Sequence, residues 1–375
     1  MTAYFDCAAT APLAPEAREA LLRYTDLAYG NAGSRTHEFG AEAKRGADAA
    51  RSAVAEIVGA RPDEVIFTSG ATEANNLALL GLRAHCESTG KRHIVTTAIE
   101  HKAVLEPVQA LVKAGFEASV VAPEADGRVS VDAVLAAVRP DTFVVSVMQA
   151  NNETGAFQPI AAIAEGLMDH PAYFHVDAAQ GFGKELASLR HPRVQLISAS
   201  AHKLYGPKGV GALIARRGRE RVPLSPLVYG GGQERGLRPG TLPVALVAAF
   251  GAACAAAERE IEPRRAVCVA IRGRLLDALL PLGAAINGAP DDSLASTINL
   301  SFPGLDSEAV MLVLKDVIAL SNGSACTSAS YEPSHVLSAM GLPCERIEGA
   351  LRFSWCHMSE EPDWSEVAAR IKSLQ

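Results

Sequence analysis

Short, nearly continuous apolar runs alternate with helical patterns through the first two thirds of this 375-residue chain. Runs of strand length are read at 64–68, His93–Thr97, Thr142–Met148, 173–176, 194–198 and Gly211–Ala215. A half-exposed strand alternates apolar and polar residues, whereas one that is apolar almost throughout must be covered on both faces. Helical segments between the runs, at about 72–83 and from His101 onward, supply that cover. The pattern predicts an α/β fold with a mostly parallel sheet between layers of helix. Ligands of such sheets collect beyond the carboxyl ends of the strands, so residues just past each run are the first candidates for chemistry.

The run at 194–198 leads into Ser198-Ala199-Ser200-Ala201-His202-Lys203-Leu204-Tyr205-Gly206-Pro207-Lys208-Gly209. Burial disfavours an ammonium ion, so a lysine past a buried strand end can be held neutral and form a Schiff base with an aldehyde cofactor. Alone, Lys203 reads better as a solvated surface lysine on a strand end. The preceding run shifts that balance, because it closes on His175-Val176-Asp177-Ala178-Ala179-Gln180. A carboxylate for a ring nitrogen and a lysine for an aldehyde are the two groups that pyridoxal 5'-phosphate requires. Thr68-Ser69-Gly70-Ala71-Thr72-Glu73-Ala74-Asn75-Asn76 lies between strand and helix, where free backbone N–H groups and the Thr72 hydroxyl suit a phosphate. Alone, the motif reads better as an ordinary helix N-cap with Thr and Glu in the first turn. The glycine-rich stretch from Gly230 to Thr241 matches neither the P-loop nor the dinucleotide fingerprint, which disfavours a nucleotide.

Seven cysteines, Cys7, Cys86, Cys254, Cys268, Cys326, Cys344 and Cys356, are scattered without a CxxC pair. An odd, dispersed set predicts reduced thiols and argues against both a disulfide framework and a zinc site. Cys326 stands apart in Ser321-Asn322-Gly323-Ser324-Ala325-Cys326-Thr327-Ser328-Ala329-Ser330, read as an exposed loop in which a thiol can ionise and react. The other six read mostly as small core residues. A formal charge of −7 with no basic run gives direct nucleic-acid binding no support. The first residues lack the basic and apolar segments of a signal peptide, and no apolar stretch reaches membrane-spanning length. A cytoplasmic protein without membrane contact is expected. An Ala-rich helix is predicted over 242–261, stopped by Pro263, and connects a large domain at 14–255 to a smaller α+β domain. The small domain takes in 1–13 and 256–375 and carries the Cys326 loop.

These motifs together resemble the cysteine desulfurases among the fold-type I pyridoxal-phosphate enzymes, in the first group, which holds the nitrogen-fixation and iron–sulfur-cluster desulfurases. Further carriers are Gly30-Asn31, Ser34-Arg35-Thr36-His37, Glu100-His101, Asn151-Asn152-Glu153-Thr154-Gly155, Gly240-Thr241-Leu242-Pro243, Ser324-Ala325-Cys326-Thr327-Ser328 and Arg352-Phe353-Ser354. The resemblance runs from Phe5 to about Trp364 and implies an aspartate-aminotransferase-like fold. It implies that Lys203 holds the cofactor aldehyde and moves protons at the substrate carbons. Asp177 is implied to pair with the ring nitrogen, Gln180 to bond the ring hydroxyl, and His101 to stack on the ring as acid and base. Ala71, Thr72, Ser200 and His202 are implied to surround the cofactor phosphate, and Thr241 to reach it from a second subunit of a homodimer. Arg352, with Asn152, is implied to grip the carboxylate of the L-cysteine substrate; Asn152 also borders the cofactor.

On this resemblance Cys326 takes the substrate sulfur as a persulfide, releases L-alanine and passes the sulfur to an acceptor protein. Another fold-type I enzyme, such as an aminotransferase or a selenocysteine lyase, is the alternative; transamination needs no thiol like Cys326. Ala201 stands where many relatives carry glycine, and Asn322 where serine is common. The chain stops at Gln375 without the longer tail that housekeeping members use to contact the iron–sulfur scaffold. With Ser354-Trp355-Cys356, this leads to the expectation of a specialised branch, such as the sulfur donors of DNA phosphorothioation.

Overall fold

The computed structural model describes residues 2–218, 220–322 and 333–375, so Cys326 lies outside the described residues. Its first eight strands are β1 (Ala3–Tyr4), β2 (Val65–Thr68), β3 (His93–Thr97), β4 (Glu117–Val121), β5 (Thr142–Met148), β6 (Tyr173–Asp177), β7 (Leu196–Ser200) and β8 (Gly211–Ala215). Four shorter or later strands follow: β9 (Ala285–Asn287), β10 (Thr297–Ser301), β11 (Ile318–Ala319) and β12 (Ala350–Ser354). Seven form one sheet in the order β2-β8-β7-β6-β5-β3-β4, parallel except for β8, which runs against both neighbours. Every residue of β5 and β7 is buried. Along β7, Leu196 enters the core on one face while Ile197 and Ala199 enter the core on the other. That alternation is the two-sided cover which the apolar runs demanded. Ile197→Ala would empty part of a closed interior and cost about 2–5 kcal/mol.

The polar exceptions inside the sheet are paired. His175 bridges three strands, its Nδ1 at 2.8 Å from Ser146 Oγ and its Nε2 at 3.0 Å from Ser198 Oγ. Complete burial pushes this imidazole down to about 3, so it stays neutral and acts as a strut. In register, Met148 lies beside Asp177 and Asp177 beside Ser198. The carboxyl ends of β5, β6 and β7 therefore open side by side.

A second sheet, β12-β10-β9, is antiparallel, and β1 pairs with β11 alongside it. Phe5, Ile298, Leu300, Phe353, Trp355 and Ile371 form its core. The helix Val244–Leu279 serves both cores: Val247, Phe250 and Cys254 enter the first, Cys268, Ile271 and Leu275 the second. The sequence pattern predicts a stop before Pro263, and the structure carries the helix straight through. A proline removes one N–H and crowds the carbonyl four residues back. Pro263 and Arg259 are both exposed, so that carbonyl faces water, and an Arg264–Glu260 ion pair at 2.9 Å reinforces the turn. Packing at both ends outweighs the local break.

Other differences are smaller. The helix expected over 72–83 ends at Leu80, and Arg83–Thr89 is separate. Strand β4 carries no clear sequence signal because it is an edge strand whose five residues are mostly exposed or half-buried. Of the six described cysteines Cys344 is exposed and the rest are buried. Among the described residues no helix is long and apolar enough to cross a membrane, and no His, Cys, Asp and Glu cluster could hold a metal ion.

Candidate active site

A cavity of about 520 Å³ opens beyond β5, β6 and β7. Met148, Asp177 and Ser200 reach it from the three strand ends, and the turn after β7 adds His202 and Lys203. The start of the helix Ala71–Leu80 brings Ala71 and Thr72, and the helix Lys102–Lys113 brings its cap, His101. Asn152, Gln180 and, from β12, Arg352 complete the set. Ten residues expected from the sequence thus share one recess. Thr241 does not join them; within one chain it is exposed, just after the glycine-rich loop. Cys326 lies outside the described residues.

The geometry suits a phosphorylated pyridine aldehyde. The Asp177 carboxylate is almost fully buried, with Oδ2 accepting from Asn75 Nδ2 at 2.7 Å and Oδ1 from the Ala179 N–H at 2.9 Å. Two donors fix the carboxylate plane while leaving lone pairs for a third. Gln180 donates from Nε2 to the Ala8 carbonyl at 3.0 Å, and its buried Oε1 has no partner. An orphaned buried acceptor is costly unless a donor arrives, and a ring hydroxyl is such a donor. Lys203 Nζ also donates to the Ala8 carbonyl, which parks the amine inside the recess.

At the other end of the recess, the first turn of the Ala71–Leu80 helix leaves backbone N–H groups free for an anion. Gly211 on β8 lets this turn come close. A Cβ there would sit 2.4 Å from the Ala199 carbonyl oxygen and 2.7 Å from Gly70 Cα. Desolvation lowers His202 to about 4, with Lys203, Lys208 and Lys184 adding to the effect, so its ring is neutral and can donate one N–H.

His101 accepts from the Ala103 N–H at Nδ1, 3.0 Å, so the neutral ring carries its proton on Nε2, towards the recess. Desolvation holds this imidazole below its usual range; Asp177 opposes the effect and Lys203 reinforces it. A neutral ring at physiological pH can accept or give a proton. Behind it, Glu100 is wholly buried, and desolvation raises its carboxyl to about 8 despite hydrogen bonds from Thr97 Oγ1 and the Met148 N–H.

Arg352 is 2% exposed, with Nη2 on Asp6 Oδ1 at 2.7 Å and Nη1 on the Asn152 carbonyl at 3.0 Å. Its Nε has no partner. The guanidinium is pinned from two sides and keeps donors for a carboxylate in the cavity. Sequence reasoning gave no role to Asp6, Asn75 or the Ala8 carbonyl. Asn75 stood within the quoted turn motif, and its placement one helical turn past Thr72 was the available signal.

Residues 3–366 match the family described as aminotransferase class-V. The cysteine desulfurase IscS of Photobacterium profundum is 42% identical over 373 residues, which cover 99% of this chain and 92% of that protein. The crystal structure of DndA from Streptomyces lividans superposes with a TM-score of 0.83 at 48% identity, covering 94% of this chain and 99% of that one. A NifS-like protein gives a TM-score of 0.91 at 36% identity, covering 100% of this chain and 99% of that one. With the recess and its residues on these terms, the chain belongs to the aminotransferase class-V family, among its pyridoxal-phosphate-dependent cysteine desulfurases.

Proposed function

We propose that this cavity converts L-cysteine to L-alanine while Cys326 takes up the sulfur. The observation that carries this reading is one recess holding a lysine, a buried carboxylate, an orphaned amide oxygen and a pinned arginine: Lys203, Asp177, Gln180 and Arg352. Bound pyridoxal 5'-phosphate supplies an electron sink for charge that develops on the substrate carbons. Lys203 would hold its aldehyde, Asp177 its ring nitrogen and Gln180 its hydroxyl. Ala71, Thr72, Ser200 and His202 would surround its phosphate. Arg352 orients the substrate carboxylate, aided by Asn152. Lys203 moves protons at the substrate carbons, and His101 exchanges one through Nε2. In the net reaction the Cys326 thiol and L-cysteine give a Cys326 persulfide and L-alanine. The C–S bond of the substrate breaks, an S–S bond forms, and one proton passes to the alanine methyl group.

The finer parts of the reading concern assembly and destination. The chain works as a cytoplasmic homodimer in which Thr241 reaches the neighbouring site, and passes its sulfur to an acceptor protein. A specialised acceptor, as in DNA phosphorothioation, is supported by Asn322 and by Ser354-Trp355-Cys356. The change of core along the helix Val244–Leu279 supports a division into a large domain at 14–255 and a small one at 1–13 and 256–375.

A single-turnover experiment tests the chemistry. The purified enzyme should release L-alanine in step with a sulfane sulfur that mass spectrometry places on Cys326. Lys203→Ala should lose both the visible absorbance of the cofactor and the reaction, whereas Cys326→Ser should keep the absorbance and lose the persulfide. Undiminished persulfide on another cysteine in Cys326→Ser would overturn the assignment.

A further inference from the structure

A second cavity, of about 470 Å³, lies where the long helix crosses between the two cores. Its walls come from the segment after β6, from the middle of the helix Val244–Leu279 and from the loop before β10. Two cationic side chains lining it are incompletely paired. The Lys184 side-chain amine makes no hydrogen bond or ion pair among the described residues. Arg264 is 8% exposed and pairs through Nε and Nη2 with Glu260, but its buried Nη1 has no partner. The Tyr205 phenol also lines the space without a hydrogen-bond partner among the described residues, its ring lying 5.4 Å from the Arg264 guanidinium carbon.

The carboxylates nearby leave these donors unclaimed. Glu185 accepts from Gln149 and Ser188, and Glu258 pairs with Arg190 at 2.8 Å. Glu262 and Arg265 are exposed. Leaving Nη1 of a buried guanidinium unpartnered costs roughly 1–3 kcal/mol. Desolvation likewise pushes the Lys184 amine down from its usual range, a penalty that an anion would relieve. Between these polar points the wall is apolar, formed by Phe157, Leu186, Ile261 and Leu294.

We propose that this second cavity binds a small organic carboxylate, taken by the Lys184 ammonium and Arg264 Nη1, with its body against Leu186, Ile261 and Leu294. An inorganic anion would leave the apolar wall unused, and a neutral molecule would leave the charge of the Lys184 ammonium uncompensated. The site is distinct from the catalytic recess yet borders it: Tyr205 is two residues beyond Lys203, and the charge of Lys184 is felt at His202.

Calorimetric titration of the holoenzyme with benzoate and with benzamide, its uncharged counterpart, tests the site. Benzoate should bind with a dissociation constant of about 1 mM, and benzamide about tenfold more weakly or not at all. Lys184→Gln should weaken benzoate about tenfold, the size expected for loss of one charge-assisted hydrogen bond. Lys184→Arg should restore most of that loss, which a merely structural effect would not do. Removing an unpaired buried amine does not threaten folding, and a melting curve for each variant verifies it. Arg352→Gln should leave benzoate affinity unchanged, which separates this cavity from the catalytic one. Equal binding of benzoate and benzamide, no binding of either, or loss of benzoate in Arg352→Gln but not in Lys184→Gln would overturn the proposal.

Discussion

The Asp6 carboxylate holds the Arg352 guanidinium at 2.7 Å, so a residue near the start of the chain aims a side chain near its end. With Nη1 engaged by the Asn152 carbonyl, Asp6 sets the plane in which the remaining N–H groups face the cavity. On the role proposed for Arg352, Asp6 is a positioning residue for substrate recognition. Asp6→Ala should raise KM for L-cysteine about tenfold, in line with the loss of one charged hydrogen bond. The cofactor absorbance should stay unchanged and kcat should fall less than KM rises. Steady-state kinetics check this, and an unaltered KM would show that Arg352 is held without Asp6.

Glu100 makes stability depend on pH. Its folded-state carboxyl titrates at about 8, against 4.5 for the unperturbed group. Between those values the folded chain keeps a proton that the unfolded chain has released, so stability falls as pH rises through this window and levels off above it. Glu100→Gln preserves an acceptor for Thr97 and Met148 but has nothing to ionise. The variant should match the parent near the lower end of the window and gain about 5 kcal/mol above its upper end. Melting curves at both pH values measure the gap; a gap that does not widen with pH would show Glu100 ionised in the folded state.

Much of this site was legible because local order carries it. Asp177, Gln180, Ser200 and Lys203 each follow an apolar run, and a run buried on both faces must end at a sheet edge where ligands gather. Arg352 had no such local mark and came only through the resemblance. The pairings that hold the site were hidden for another reason. Asp6–Arg352 and Asn75–Asp177 join residues 346 and 102 positions apart, and periodicity says nothing about partners at that distance. Pro263 misled because a local helix-breaking rule was applied where tertiary packing decides.

Asn75 offers a test of that hidden layer. Its Nδ2 holds Asp177 Oδ2 at 2.7 Å, while its own Oδ1 is buried without a partner. Asn75→Ala frees one side of the carboxylate and should weaken cofactor retention about tenfold, with full activity returning when pyridoxal 5'-phosphate is in excess. Dialysis followed by absorbance titration reads this directly. Retention equal to that of the parent would mean that the Ala179 N–H alone fixes Asp177.

The role proposed for Thr241 across a subunit interface makes a prediction that a single-subunit role cannot imitate. Thr241 is exposed and stands outside the recess in one chain. If a partner subunit supplies it, Thr241→Glu should inactivate the neighbour's site by placing a carboxylate against a phosphate. Lys203→Ala inactivates its own site. In a hybrid of the two variants, one site has both defects and the other has neither: an intact Lys203 from its own chain and an intact Thr241 from the partner. Random exchange makes about half of the dimers hybrid, so about a quarter of all sites should recover. Co-expression with two affinity tags, followed by tandem purification, isolates the hybrid for assay. Recovery of alanine release from two inactive parents supports the shared site. No recovery in a verified hybrid would mean that Thr241 serves the subunit that carries it, or serves no site.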